Sequence, residues 1–591
     1  MGKLSQDYLL IRSAFPAKAD YIRFPVTVQK LAEILYCTPR NAKNILLKMI
    51  ELKWIGFEPG KGRGNASQLC FLANMKELLI EETKSLALAG KMDEALILIK
   101  KYGDDESKST FISWLSDFFG YKVSSDKDRY LETLRMPIYR RINTLDPASC
   151  FYRLDAHMIK QIYDTLVEYN YETRKLTGRL AHHWKKNIDA TQWIFYIRKG
   201  IKFHNGKEFN AEDVIFSLNR LKSEFPNQNW LVKEIEEILP LSKYSVCIKL
   251  KKPNYVLPQY FAYTPTSIKS SDGAAFNGTG PYRLKENTSG KCVLEAWDYH
   301  FSGRALVDQV ELIHIPEGEE IISEEDGRLL QIHAGEGEKE REDSWNGTEN
   351  FLAGSTVLTL NLKKESPLND HRFRIALSKL INRRQLLVEL GEPRFYPASG
   401  FHVNMLPTIT DRDFSQIQGL NLLKESIYDG EELTIYTYRR HQTDALWLKH
   451  YLVSFGIKLN VSIFSWDDLQ RAEVQMQADM ILFEAVLSEG DIQFFDLLQS
   501  GYSFIKNHLN EELYDDINNC VDSLVAEASF EVRLQKIHGL EKRLKESAAV
   551  IFLCHKNVIA SSHPSLKGVK VNEKGWIDFK DVWIDDVSFE K

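Results

Sequence analysis

Val26-Thr-Val-Gln-Lys-Leu-Ala-Glu-Ile-Leu-Tyr-Cys-Thr-Pro-Arg-Asn-Ala-Lys-Asn-Ile-Leu-Leu-Lys-Met-Ile-Glu-Leu-Lys-Trp-Ile55 holds two short helical patterns on either side of a break at Cys37-Thr38-Pro39. Leu31, Ile34 and Leu35 form one apolar stripe; Ala42, Ile45, Leu46, Met49 and Leu52 form another, both at helical spacing. Thr38 stands where an N-cap belongs, and Pro39 falls at the first helical position, where its missing N–H costs nothing. The second helix turns Arg40, Asn41, Lys43, Asn44 and Lys48 away from its apolar stripe. A helix-turn-helix places such side chains in the major groove of DNA, where Arg reads guanine and Asn reads adenine.

The following stretch, Gly56-Phe-Glu-Pro-Gly-Lys-Gly-Arg-Gly-Asn-Ala-Ser-Gln-Leu-Cys-Phe71, has strand-like ends and a tip interrupted by Pro59, Gly60, Gly62 and Gly64. It reads as a hairpin whose Lys61 and Arg63 suit backbone phosphate or the minor groove. Helix, turn, helix and basic hairpin make a winged helix-turn-helix over residues 1–75. Two amphipathic helices joined by a turn also occur in many proteins that bind no DNA. Local charge separates this pair from those: residues 1–75 carry 11 Lys+Arg against 5 Asp+Glu, a balance of +6. With the whole chain at −6, the remainder totals −12. A basic head on an acidic body is the electrostatic footprint of a nucleic-acid module.

At 591 residues the chain exceeds what one core can serve, so two or three domains are expected. Seven scattered cysteines, with no CxxC and no metal-site spacing, read as free thiols in a reducing compartment. The opening Met-Gly-Lys-Leu-Ser-Gln-Asp lacks the basic-then-apolar pattern of a secretion signal, and no apolar run is long enough to span a bilayer. A cytoplasmic protein without membrane insertion is expected.

Residues 76–128 read as a helical linker region, with a break near Gly90-Lys91 and a domain boundary in the polar stretch near 122–130. From residue 129 strands alternate with helices, an α/β signal. Leu134–Tyr139, Trp193–Arg198 and Thr356–Leu362 are strand-like. His157–Val167, Ala211–Arg220 (capped by Asn210) and His371–Leu387 are helical, and Leu433–Ile463 reads strand–helix–strand. Residues 317–343 hold 11 acids and 3 bases and read as a solvated loop.

Several segments of this body resemble the extracellular solute-binding proteins of the oligopeptide, dipeptide and nickel uptake systems. The strongest runs from Leu176 to Leu218 and includes Arg198-Lys-Gly-Ile-Lys-Phe-His-Asn-Gly206. Thr144-Leu-Asp-Pro147, Gly278-Thr-Gly-Pro-Tyr282 and His371-Arg-Phe-Arg-Ile-Ala-Leu377 add to it. The resemblance implies a two-lobed α/β, periplasmic-binding-protein-like (type II) body over 129–591. One lobe would cover about 129–315 plus a C-terminal return, the other about 350–545, and the two would close on a ligand. Order of parts, with Leu52-Lys-Trp-Ile55 and Ser67-Gln-Leu-Cys-Phe71, is similar to that of the SgrR-type transcriptional regulators, which respond to sugar-phosphate stress. That similarity implies a double-stranded DNA operator and a small effector: peptide, sugar or sugar phosphate.

One departure concerns the ligand. Peptide-binding members carry an acidic anchor for the ligand's ammonium, and the corresponding stretch here is Phe483-Glu-Ala-Val-Leu-Ser-Glu-Gly-Asp-Ile-Gln-Phe-Phe495. Glu484, Glu489 and Asp491 are the acids available for it, or are solvated loop residues. Arg439 and Arg440 follow a strand and suit a phosphate, while Tyr139, Tyr152, Trp447 and Trp466 suit stacking or belong to the core. Neither a GxSxG elbow, nor an HExxH helix, nor a GxxxxGK[ST] loop occurs, and His182-His183 lacks a ligand-spaced partner. No enzyme activity and no cofactor are expected. The sequence thus reads as a ligand-responsive DNA-binding regulator, with dimerisation through residues 76–101 left open. The competing reading is a transport component whose head docks protein.

Overall fold

The computed structural model describes residues 2–60, 66–126, 129–170, 173, 175–315, 331–333, 346–351, 354–401, 413–487, 491–562, 566–570, 572 and 576–585. The wing tip with Lys61 and Arg63, nearly all of the acidic 317–343 stretch, and Glu489 lie outside the described residues. The chain divides into two compact units. The first comprises Met1–Arg141, Leu284–Glu295 and Asp308–Leu330; the second comprises Ile142–Arg283, Ala296–Val307 and Gln331–Lys591.

The first unit begins with helix α1 (Gly2–Ser13), which the periodicity does not predict. Its apolar residues serve two cores at once, so no single stripe forms. Tyr8 and Ile11 join the winged-helix core, whereas Leu9 joins a second cluster with the helices that follow. Strand β1 (Phe24–Val26), helices α2 (Val28–Ile34) and α3 (Pro39–Glu51), and strands β2 (Ile55–Glu58) and β3 (Ser67–Phe71) complete the head. The three strands are antiparallel in the order β1-β3-β2, with Phe24 opposite Leu69 and Ile55 opposite Phe71. Leu31, Ala42, Leu46, Met49 and Phe71 are fully buried together, and the Tyr8 hydroxyl donates to the Ala73 carbonyl at 2.6 Å.

Helices α4 (Met75–Leu88), α5 (Met92–Tyr102) and α6 (Asp105–Phe118) follow, the first two separated at Gly90 in a left-handed conformation (φ 74°). The stretch near 122–130, read from sequence as a domain boundary, is instead part of a hairpin: strand β4 (Gly120–Asp126) pairs antiparallel with β5 (Arg129–Ile138). The hairpin is the edge of a five-stranded sheet whose other strands are Tyr282–Asn287, Lys291–Ala296 and Gln309–His314. Ile313 and Ile315 pack into the core made by α4, α5 and α6. Arg135 holds this packing, donating to Glu311 at 2.6 Å and to the Phe118 carbonyl at 3.1 Å. The described residues of 76–126 thus fall within the first compact unit.

In the second unit, Ile235–Ser242, Ser245–Leu250, Gln192–Ile197 and Ala181–Lys186 form a four-stranded antiparallel sheet in that order. Helix Ala211–Ser223 starts with a capping box in which Asn210 and Asp213 satisfy each other's backbone N–H groups. An eight-stranded sheet is centred on Gly354–Leu360, antiparallel to Met480–Val486 on one side and Val550–Ser562 on the other. Glu432–Tyr438 runs parallel to both Lys458–Phe464 and Met480–Val486. The single helix expected over 371–387 breaks into His371–Leu380 and Arg383–Leu390. Asn382 causes the break, since its side chain caps the second helix by accepting from the Gln385 N–H at 3.0 Å.

The family-like motifs have local physical reasons. Gly278 and Gly280 run so close to the carbonyls of Ile162 and Gln161 that a Cβ there would approach them to 2.0 and 2.5 Å. His204 accompanies them, its ring Nε2 3.0 Å from the Gly280 carbonyl. Asp146 of the Leu-Asp-Pro triplet binds Arg220 at 2.7 Å and Lys269 at 3.1 Å, and caps the turn at Pro147. All seven cysteines are free thiols.

Candidate functional site

Two candidate surfaces arise, one in each unit. In the head, the Thr38 side chain accepts from the Asn41 N–H at 3.3 Å and Pro39 occupies the first turn, fixing where α3 begins. Burying Ala42, Leu46 and Met49 turns Arg40, Asn41, Lys43, Asn44, Leu47 and Lys48 to solvent. Arg40, Lys43, Asn44 and Leu47 recur at the three- and four-residue intervals of one helix face. Tyr36, in the turn before α3, is 89 % exposed with φ 49°.

The second surface is a cavity of about 140 Å3 in the second unit. Phe151, Tyr152 and Arg153 enter it from the N-terminus of helix Arg153–Ile162. Tyr438 and Arg440 come from the end of strand Glu432–Tyr438, Phe483 and Glu484 from strand Met480–Val486, and Trp466 and Gln470 from the short helical turn after Phe464. Trp466 centres an aromatic group: Tyr438 and Phe504 meet it edge-on at 4.9 and 5.6 Å, and Tyr152 tilts against it at 5.4 Å. Phe151 stacks on Tyr502 at 4.6 Å. The Trp466 indole N–H and the Gln470 amide oxygen are buried without a hydrogen-bond partner among the described residues, and both residues line the cavity.

Charge in the cavity is arranged around Glu484, whose side chain is only 2 % exposed. Arg153 donates to it at 2.7 Å, and Arg440 stands 3.6 Å away. Burial pushes the Glu484 carboxyl up, but Arg440, Arg153, Lys556 and His441 together outweigh burial and bring it down to about 2. Behind this trio, Asp444 accepts from Arg394 at 2.7 Å and from Lys556 at 3.1 Å, all three side chains being buried. His441 sits in the same network and is held neutral, its pKa lowered to about 4 by burial and then by Lys556. Asp496 also lines the cavity. Two arginines and two acids thus line the cavity beside its aromatic walls.

Of the ligand residues expected from sequence, Arg440, Trp466 and Glu484 line this cavity. Arg439 is exposed in the turn Arg439–His441 and is not among the lining residues. Asp491 begins helix Asp491–Gln499, again outside the lining. Tyr139 belongs to the first unit, 51 % exposed just beyond β5. Trp447 is a core residue stacked on Tyr451 at 4.5 Å. As an ammonium anchor Glu484 is already engaged by two guanidinium groups. Sequence reasoning missed Arg153, Phe483, Tyr502 and Phe504; no periodicity reports a pairing across 331 residues such as Arg153 with Glu484. His182 and His183 lie on strand Ala181–Lys186, and no group of three His, Cys, Asp or Glu side chains among the described residues could hold a metal ion. No helix among the described residues is long and apolar enough to cross a membrane.

Comparison with known proteins places both parts. Residues 175–501 match the bacterial extracellular solute-binding proteins, family 5, and residues 3–116 match the N-terminal domain of the sugar transport-related sRNA regulator. YhjP of Bacillus subtilis (strain 168) is 31 % identical over 95 % of this chain and 96 % of its own. The HTH-type transcriptional regulator SgrR of Escherichia coli O6:K15:H31 is 25 % identical over 98 % of both chains. Among solved structures, Helicobacter pylori DppA in complex with the peptide STSA superposes with a TM-score of 0.67 at 19 % identity, over 76 % of this chain and 98 % of that one. Brucella suis NikA in complex with Fe(III)-EDTA gives 0.65 at 18 % identity, over 77 % and 100 %. Both parts thus have full-length counterparts: the chain belongs to the family 5 solute-binding proteins and carries the N-terminal domain of the SgrR-type regulators.

Proposed function

We propose that the protein is a cytoplasmic, ligand-responsive transcriptional regulator. The observation that carries this reading is the exposed row Arg40, Lys43, Asn44 and Lys48 on a helix capped and positioned as the second helix of a helix-turn-helix. Arg40, Asn41, Lys43 and Asn44 are assigned to base edges, Lys48, Lys61 and Arg63 to phosphate. In the body, a small solute occupies the cavity around Trp466 and changes operator affinity by favouring one arrangement of the protein. Such a solute must bind that arrangement better than its alternatives, since equal affinity shifts nothing. Peptide, sugar and sugar phosphate are the candidate classes, and the arginine pair favours a ligand with a carboxylate or phosphate over one with an ammonium alone.

The test is selection from a randomised double-stranded DNA library by the full-length protein, at moderate salt, with and without a pool of small metabolites. Enrichment of a defined site whose recovery changes with the pool supports the reading. Binding that ignores salt, or no enrichment in either condition, removes the DNA role and leaves a head that docks protein. A footprint covering two half-sites about one helical turn apart supports operation as a dimer.

A further inference from the structure

Leu47 is 57 % exposed in the middle of α3. Single exposed leucines are common on protein surfaces. This one stands among Lys43, Asn44 and Lys48 on the face opposite the buried Ala42, Leu46 and Met49. It completes the row that begins with Arg40, at an interval of seven residues, or two helical turns. The row therefore ends in an apolar branched side chain flanked by two lysines and an asparagine.

On the recognition face of a helix-turn-helix an apolar side chain has one counterpart in the major groove. Only thymine presents a methyl group there; guanine, adenine and cytosine offer hydrogen-bonding edges to that face. The neighbouring cations fit the phosphates bordering the groove and hold the helix against it. Resting on the DNA-binding reading above, we propose that Leu47 is a specificity residue that selects thymine through its C5 methyl group. Seven residues of helix span about 10.5 Å, and bases in one strand rise about 3.4 Å each. The selected thymine therefore lies within about three base pairs of the base met by Arg40.

The experiment begins with the DNA selected by the full-length wild-type protein. At each strongly preferred thymine, deoxyuridine is substituted singly, which removes the methyl and keeps the pairing edge. Leu47→Ala is measured on the same duplexes, with its thermal unfolding recorded beside the wild type. Expected is one position where uridine weakens wild-type binding about fourfold, the worth of one buried methyl group. At that position Leu47→Ala binds thymine and uridine equally, while its preferences elsewhere persist.

Two outcomes overturn the assignment: Leu47→Ala keeps the wild-type response to uridine at every position, or loses affinity by the same factor on all sequences. A wild-type protein that enriches no site overturns the DNA-binding reading itself, a result separable from both. Leu47→Gln provides a second variant of similar length, expected to lose the thymine preference without shortening the side chain.

Discussion

Arg153 donates to the Glu484 carboxylate at 2.7 Å, joining the start of a helix to a strand 331 residues further along the chain inside one cavity. Arg440 approaches the same carboxylate from a third element. One buried anion is thus shared between two cations.

Glu484→Gln leaves Arg153 and Arg440 facing each other, and is expected to lower the stability of the body by about 3–5 kcal/mol. Arg153→Ala leaves Glu484 beside Arg440 and costs less. Urea unfolding followed by tryptophan fluorescence checks the order; a larger loss for Arg153→Ala contradicts the description of Glu484 as the shared partner.

Acid sensitivity follows from the same residue and from a buried histidine. The folded Glu484 carboxyl is held at about 2 against an ordinary 4.5. Its contribution, about 3 kcal/mol, is complete above pH 4.5 and lost as the pH falls toward 2. His508 is fully buried, 2.9 Å from the Thr359 hydroxyl, and burial lowers it to about 4 from 6.5. Between those values the unfolded chain binds more protons than the folded one, so stability declines as the pH falls from 6.5 toward 4. His508→Asn is expected to show a smaller loss across that upper range than the wild type, measured as urea midpoints at a series of pH values. An unchanged upper range in the variant removes His508 from the account.

The head has its own stability signature. Thr38→Ala removes the cap of α3 and is expected to cost about 1 kcal/mol, whereas Leu46→Ala opens the core beneath α3 and costs about 2–5 kcal/mol. Hydrogen exchange of α3 amides in the full-length protein separates the two. Protection should fall mainly in the first turn for Thr38→Ala and throughout the head for Leu46→Ala.

Asn44→Ala and Lys48→Ala should differ in kind. The first is expected to relax base preference at one or two operator positions by about 1–3 kcal/mol. The second weakens all sequences alike and reduces the slope of log affinity against log salt by about 0.9. Identical salt slopes for Lys48→Ala and the wild type contradict a phosphate contact.

What the sequence made legible was local. Thr38 and Pro39 announce the start of α3, and Asn210 the start of its helix, because capping is settled within four residues. Asn382 carries the same kind of signal inside 371–387, where the continuous apolar pattern masked it. Helix α1 escaped because its apolar residues divide between two cores. In the cavity, Arg440, Trp466 and Glu484 follow or lie in strands recognisable by composition. Arg153, Tyr502 and Phe504 join them through tertiary folding, which leaves no period in the sequence.

The interleaved make-up of the first unit sets an order of events during synthesis. The core around Leu31, Leu46 and Met49 draws its residues from the chain's opening stretch and can close as soon as that stretch leaves the ribosome. The neighbouring core around Phe111 and Leu115 needs Ile313 and Ile315. At about 5–20 residues per second, the ribosome reaches Ile315 roughly 9–35 s after Arg141. For that interval the core of α4, α5 and α6 lacks Ile313 and Ile315. The core of the head is thus complete before its neighbour, which is finished only when the middle of the chain has been translated.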